Sequence, residues 1–207
     1  MAGLTTHTGT IVVYDVDDVD TDRIIPARFL SRVSRSGYGE LLFADVRKDG
    51  FPLDRPEAKG ASVIVVGTNF GCGSSREHAV WAIQQAGFAV VVARAEKDSP
   101  GYSDIFRQNA ANCGLLLVEL APDAHADMTK SGTGAEATID LPAQSVQVGG
   151  KSHRFEIDPV LKDQLLAGLD LIGATLRLEP EIAAFEGKWH AFAPTRDTGA
   201  PGGASNP

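Results

Sequence analysis

ASVIVVGTNFGCGSSREHAVWAIQQAG, residues 61–87, reads as strand, glycine loop and helix in a single pass. Residues 61–66 are dominated by β-branched side chains, the composition of a buried strand. Gly67, Gly71 and Gly73 punctuate the next seven residues, which suits a tight loop that takes positive φ or passes close to a ligand. Ser74-Ser75-Arg76-Glu77 fits the S-x-x-E capping box, so Ser74 is predicted as the N-cap of a helix that Gly87 closes. A strand feeding a glycine loop and a helix N-terminus gathers free N–H groups and the positive end of a helix dipole at one point. Two hydroxyls and a guanidinium join them there, and together they form a place for an anion.

The kind of anion is narrowed by what the loop lacks. A phosphate-binding G-x-x-x-x-G-K-[ST] loop needs a lysine after Gly73, and the dinucleotide fingerprint G-x-G-x-x-G needs glycine where Arg76 stands. Arginine at the helix start favours a planar carboxylate, which its fork holds by two parallel hydrogen bonds. The same residues also read more plainly, as a cap, a solvated charge and a turn.

Further stretches carry a resemblance. GTNFGCGSSREHA (67–79), DTDRIIPARFL (20–30), DIFRQNAANCGLL (104–116), FEIDP (155–159) and GLDLIGATL (168–176) resemble, in this order, the mobile domain of the aconitase superfamily. Within it they are most similar to the family of bacterial 3-isopropylmalate dehydratase small subunits. The resemblance covers nearly the whole chain apart from its last dozen or so residues.

It implies a function and a set of roles. Aconitase-type enzymes move a hydroxyl between neighbouring carbons after a base has removed a proton α to a carboxylate. Carried over, the first serine of the SSR motif, Ser74, is the base, and Ser75 and Arg76 hold substrate carboxylate. Thr21 and Asp22, in the Asp-Thr-Asp turn, line the substrate cleft, although a solvated turn capping the next element reads equally well. Arg32, Val33 and Arg35 lie in the segment that reaches into a partner's active site and selects the substrate side chain, with Gly37 and Gly39 letting it move. The implied reaction interconverts 2- and 3-isopropylmalate in leucine biosynthesis. A sibling dehydratase acting on homoaconitate, citraconate or a methylated malate, or a non-catalytic carboxylate-binding module, stands as the alternative.

The cysteines bear on the cofactor. A [4Fe-4S] cluster takes four thiolates, or three with one open iron, whereas Cys72 and Cys113 are the only cysteines here. Histidines 7, 78, 125, 153 and 190 show no metal-ligand spacing. No metal or cofactor is therefore expected on this chain, and the resemblance places the cluster on a separate large subunit, the expected partner, with a small dicarboxylate as substrate. Cys72, just before a helix start, is placed where a thiol pKa can be lowered, but it reads more readily as a packed bystander.

A net charge of -8 with no basic stripe argues against nucleic acid. No apolar run approaches the ~18 residues of a membrane span. The first residues, MAGLTTHTG, lack a signal peptide's basic and apolar regions, so the expected setting is cytoplasmic.

Around the central stretch the chain reads as follows. Residues 9–14 are a first strand, followed by an acidic run (Asp15, Asp17, Asp18, Asp20, Asp22) whose spacing does not fit a calcium loop. Residues 41–47 suit a short helix, and 88–93 a second buried strand. Ser103 caps a helix ended by Gly114, and 115–120 form the next strand. Residues 137–141, 145–148 and 153–157 are short antiparallel strands. Asp158-Pro159 opens a helix, 172–178 reads as a strand, and 179–189 as a last helix. The predicted fold is α/β, a single swivelling β/β/α domain over residues 1–193 with mixed parallel and antiparallel strands, two sheet layers and helices on one side. Residues 194–207 hold no large apolar residue and are predicted as a disordered tail.

Overall fold

The structure is a computed structural model that describes residues 3–189 except 33 and 75. The predicted boundary at 193 and the predicted tail 194–207 lie outside the described residues. By contacts the chain divides into two compact units, Met1–Leu171 and Ile172–Pro207.

In the first unit the strands are β1 (Thr6–Tyr14), β2 (Val63–Val66), β3 (Val90–Arg94), β4 (Leu116–Leu120), β5 (Glu136–Asp140), β6 (Ser145–Val148) and β7 (Lys151–Arg154). They form one seven-stranded sheet in the order β4-β3-β2-β1-β5-β6-β7. Its two wings meet on β1. The outer half of this strand pairs antiparallel with β5, from Thr6 opposite Asp140 to Thr10 opposite Glu136. Its inner half pairs parallel with β2, from Ile11 opposite Val63 to Tyr14 opposite Val66.

The helices are α1 (Thr21–Ile24), α2 (Glu77–Gln85), α3 (Asp104–Cys113), α4 (Pro122–Ser131) and α5 (Pro159–Ala167), then α6 (Leu171–Leu176) and α7 (Glu179–Trp189). Side chains alternate across a strand, and the parallel wing is apolar on both faces, as a covered parallel sheet must be. Val12, Ile64, Val66 and Val91 share one core with Ala79, Val80 and Ile83 of α2 and Phe106 and Ala110 of α3. Ile11, Val63, Val65, Val90 and Val92 share the other with Ala137, Ile139, Val146 and Val148 of the antiparallel wing. The sheet therefore curls so that one wing covers the other, as predicted for two sheet layers.

Three expectations are corrected. Helices are not confined to one side: Met128 of α4 and Leu165 of α5 complete the second core, and α4 was not foreseen at all. Residues 41–47 form no helix beyond a 3-10 turn at Gly39–Leu41, with buried Phe43 in left-handed backbone at φ 59°. The predicted strand 172–178 is instead largely α6, since a short apolar run serves either element. In the second unit, Ile172, Leu176, Leu178, Ile182 and Phe185 are exposed.

Candidate active site

β1 and β2 run parallel with Tyr14 opposite Val66, so their C-terminal ends release two loops side by side, the usual place for a site in an α/β sheet. One loop is the acidic run after Tyr14 and the other the glycine loop after Val66. They are laced rung by rung. Gly67 N–H donates to the Val16 carbonyl at 3.2 Å and Gly71 N–H to the Val19 carbonyl at 2.7 Å. Thr68 N–H donates to Asp17 Oδ1 at 2.8 Å, and Asn69 Nδ2 to Asp18 Oδ1 at 2.7 Å. Thr21 N–H donates to the Cys72 carbonyl at 3.0 Å, and Thr21 Oγ1 to the Ser74 carbonyl at 2.7 Å.

Two glycines are required by this closeness. A Cβ on Gly67 would lie 2.2 Å from Asp17 Oδ1, and one on Gly71, at φ 74°, would lie 2.3 Å from the Phe106 ring. A third segment supports the loop from behind: Phe70 N–H donates to the Gly101 carbonyl at 2.8 Å, and Ser103 Oγ to the Gly71 carbonyl at 2.7 Å.

The lacing changes the start of the helix. α2 begins at Glu77 with Arg76 as N-cap, in extended backbone at φ -137° with no side-chain cap bond. Ser74 is thus not the cap. Its carbonyl is tied to Thr21, and Glu77 accepts from Cys113 Sγ at 3.4 Å rather than reaching back. Ser74 itself is exposed, and Ser75 lies outside the described residues.

Arg76 carries the positive charge of the ledge. Its side chain is 17% exposed and pairs through Nη1 with Asp22 Oδ1, whose side chain is 54% exposed. One edge of the guanidinium is thereby oriented by the chain itself. Thr21 is 1% exposed, with its hydroxyl committed to Ser74, and Asp20 caps α1 by accepting from Arg23 N–H at 2.7 Å. The structure therefore brings together Ser74, Arg76, Thr21 and Asp22, four residues that the sequence analysis singled out. It leaves Arg32 and Arg35 on other partners. Arg32 donates to the Gly37 carbonyl at 3.0 Å and lies 5.9 Å from the Tyr38 ring centre, while Arg35 lies 5.1 Å from that of Trp81. Val33 lies outside the described residues.

Burial, then the nearby Asp20 and Asp18, push the Cys72 thiol up, contrary to the lowered value considered from sequence. Burial and Glu77 push Cys113 up to about 12. Among the described residues no group of three or more His, Cys, Asp or Glu is placed to hold a metal ion.

A cavity of about 370 Å³ lies elsewhere, lined by Arg107, Leu117, Glu119, Leu161 and Leu165 among others. Ser74 and Arg76 do not line it; they stand on an open ledge. Sequence reasoning missed Asp17, Asp18 and Asn69 as the pins of that ledge. Asn69 sits at φ 53°, a conformation asparagine tolerates better than most residues.

The family model described as the aconitase C-terminal domain matches residues 1–123, and that described as LeuD_N matches residues 127–159. The 3-isopropylmalate dehydratase small subunit of Acidothermus cellulolyticus is 46% identical over 199 residues, covering 94% of this chain and 98% of that protein. Its counterpart from Desulforapulum autotrophicum is 41% identical over 214 residues, covering 95% and 100%. A crystal structure of 3-isopropylmalate dehydratase (LeuD) from Methanocaldococcus jannaschii is similar with a TM-score of 0.64 and 31% identity, covering 87% of this chain and 99% of that one. The chain belongs to the family of 3-isopropylmalate dehydratase small subunits, within the aconitase superfamily.

Proposed function

We propose that this chain is the small subunit of a heteromeric hydro-lyase that interconverts 2- and 3-isopropylmalate, and that it works in the cytoplasm with a cluster-bearing large subunit. The observation that supports this best is the lacing of the acidic run to the glycine loop, which gathers Ser74, Arg76, Thr21 and Asp22 on one open ledge. Ser74 removes the proton α to a substrate carboxylate, and the hydroxyl on the neighbouring carbon leaves; the reverse steps place the hydroxyl on the other carbon. Arg76, with Ser75, holds the carboxylate, presenting the guanidinium edge that Asp22 leaves open. Thr21 acts one step removed, by fixing the Ser74 backbone, and Asp22 by aiming Arg76. Departure of the hydroxyl is assigned to the partner, where a [4Fe-4S] cluster is expected.

A serine must ionise to act as a base, and this chain alone does little to help it. A helix N-terminus contributes ~0.3 to 1 kcal/mol, at best ~2, and one pKa unit corresponds to ~1.4 kcal/mol. α2 starts three residues beyond Ser74, at Glu77, and Arg76 is already paired with Asp22. Charges of the partner must supply the rest by preorganised electrostatics.

The test is reconstitution with the large subunit encoded by the same organism, following the ultraviolet absorbance of the unsaturated dicarboxylate formed by dehydration. Activity is expected only in the mixture, with isopropylmalate preferred in a panel of substituted malates. Turnover by the isolated chain, or none by the complex, would overturn the proposal.

A further inference from the structure

α2 carries a second set of contacts beyond Arg76. His78, Trp81 and Gln85 follow at spacings of three and four, which puts them on one face of the helix. Gln85 is engaged at both ends of its amide. Its Oε1 accepts the Tyr38 N–H at 2.9 Å, and its Nε2 donates to the Arg35 carbonyl at 2.8 Å.

Tyr38 is fully buried, with its ring 5.4 Å from that of His78 and 5.8 Å from that of Trp81, both edge to face. The Arg35 guanidinium lies 5.1 Å from the Trp81 ring centre. Gly39 fits against the end of the same helix so closely that a Cβ there would lie 2.4 Å from the Gln85 carbonyl. Gly39 therefore seats the segment on α2, where the sequence reading had it as a hinge.

We propose that Gln85 is a positioning residue for substrate choice. It holds the backbone on either side of the Arg35–Tyr38 span, where no regular secondary structure does so, and it does this from the helix whose N-cap residue is the carboxylate-holding Arg76. One rigid helix thus sets the distance between the group proposed to grip the carboxylate and the segment to which the family resemblance gives the choice of the substrate's alkyl group. The inference rests on the dehydratase reading above and deepens it.

Gln85→Met keeps the side-chain length and removes both hydrogen bonds, while Gln85→Glu keeps the acceptor for Tyr38 and loses the donor to Arg35. In the reconstituted complex Q85M is expected to raise KM for isopropylmalate at least fivefold with kcat changed less than twofold. Its preference for isopropyl- over methyl-substituted malate should fall at least fivefold, with Q85E intermediate. In the isolated chain the Tyr38 amide should exchange its hydrogen at least tenfold faster in Q85M, with the amides of α2 unchanged. Faster exchange with unchanged preference, or an equal loss of kcat on every substrate, would overturn the inference. If Q85M does not fold, Q85E carries the same comparisons. The wild-type complex reports on the reaction and the variant-to-wild-type ratio on Gln85, so an inactive wild type sinks the dehydratase reading, while an active one with unchanged ratios sinks this inference alone.

Discussion

Arg76 offers a planar fork with one edge held by Asp22, so exchanging it for lysine keeps the charge and removes the geometry. Losing one charge-assisted hydrogen bond to a substrate carboxylate costs roughly 1.5 to 3 kcal/mol. Arg76→Lys in the reconstituted enzyme is therefore expected to lower kcat/KM about ten- to more than a hundredfold. Steady-state kinetics beside thermal melts of the subunit check this; kinetics and melting both unchanged would return Arg76 to a plain ion pair. Ser74→Ala should reduce turnover by well over tenfold with a stability change within ~0.5 kcal/mol, since Ser74 caps no helix in this structure. A loss of about 1 kcal/mol in urea unfolding would instead restore the cap. That Ser74 and Arg76 stand side by side was legible because they are two residues apart in sequence, whereas Thr21 and Asp22 were singled out only through the family resemblance. The conformation of Ser74 was not legible, because a bond from Thr21, fifty-three residues away, overrides the local capping pattern.

The elements that could be read in advance are those with local chemistry. Ser103 accepts from Phe106 N–H and Gly114 closes α3 in left-handed backbone at φ 75°, while Asp158 accepts from Val160 N–H, all as predicted. β2 and β3 were legible from their β-branched runs. α4 escaped because it is largely polar, although Pro122 at its first turn and Asp123 beside it were available signals. The loop between β2 and α2 depends on elements distant in sequence. Gly71→Ala would bring left-handed strain of roughly 1 to 2 kcal/mol, and overpacking against Phe106 of roughly 1 to 3 kcal/mol more. Urea unfolding should show a loss of at least about 2 kcal/mol; a smaller one would mean that the loop yields readily and that its shape is not set by α3.

For the whole molecule, acid stability follows from one buried ring and one half-buried ring. His125 is 1% exposed, its Nε2 lying 2.7 Å from the Val66 carbonyl, and His7 Nε2 lies 2.8 Å from Ser62 Oγ. Burial holds both imidazoles below their ordinary value of 6.5. Below that pH the unfolded chain takes up protons that the folded chain refuses, so stability is lost as pH falls through 6.5, and the loss ends once the lowered folded values are passed. Urea unfolding at pH 8, 6.5 and 5.5 should show this. His125→Gln, which keeps a donor for Val66, should reduce the slope by up to ~1.4 kcal/mol per pH unit. Equal stability at pH 8 and 5.5 would refute the burial effect.

β1 is shared between two wings, and its partners leave the ribosome at different times. Val12 pairs with Ile64, fifty-two residues downstream, but His7 pairs with Ile139, one hundred and thirty-two residues downstream. At ~5–20 residues per second, β5 follows β2 by roughly 4 to 15 seconds. Throughout that interval the nascent chain carries a half-zipped first strand, its outer half an open edge able to pair with any neighbouring chain. Long-range pairing of this kind also makes for slow folding, so the hazard of misassembly is concentrated on the polar outer half of β1, Thr6 to Thr10, until the antiparallel wing closes over it.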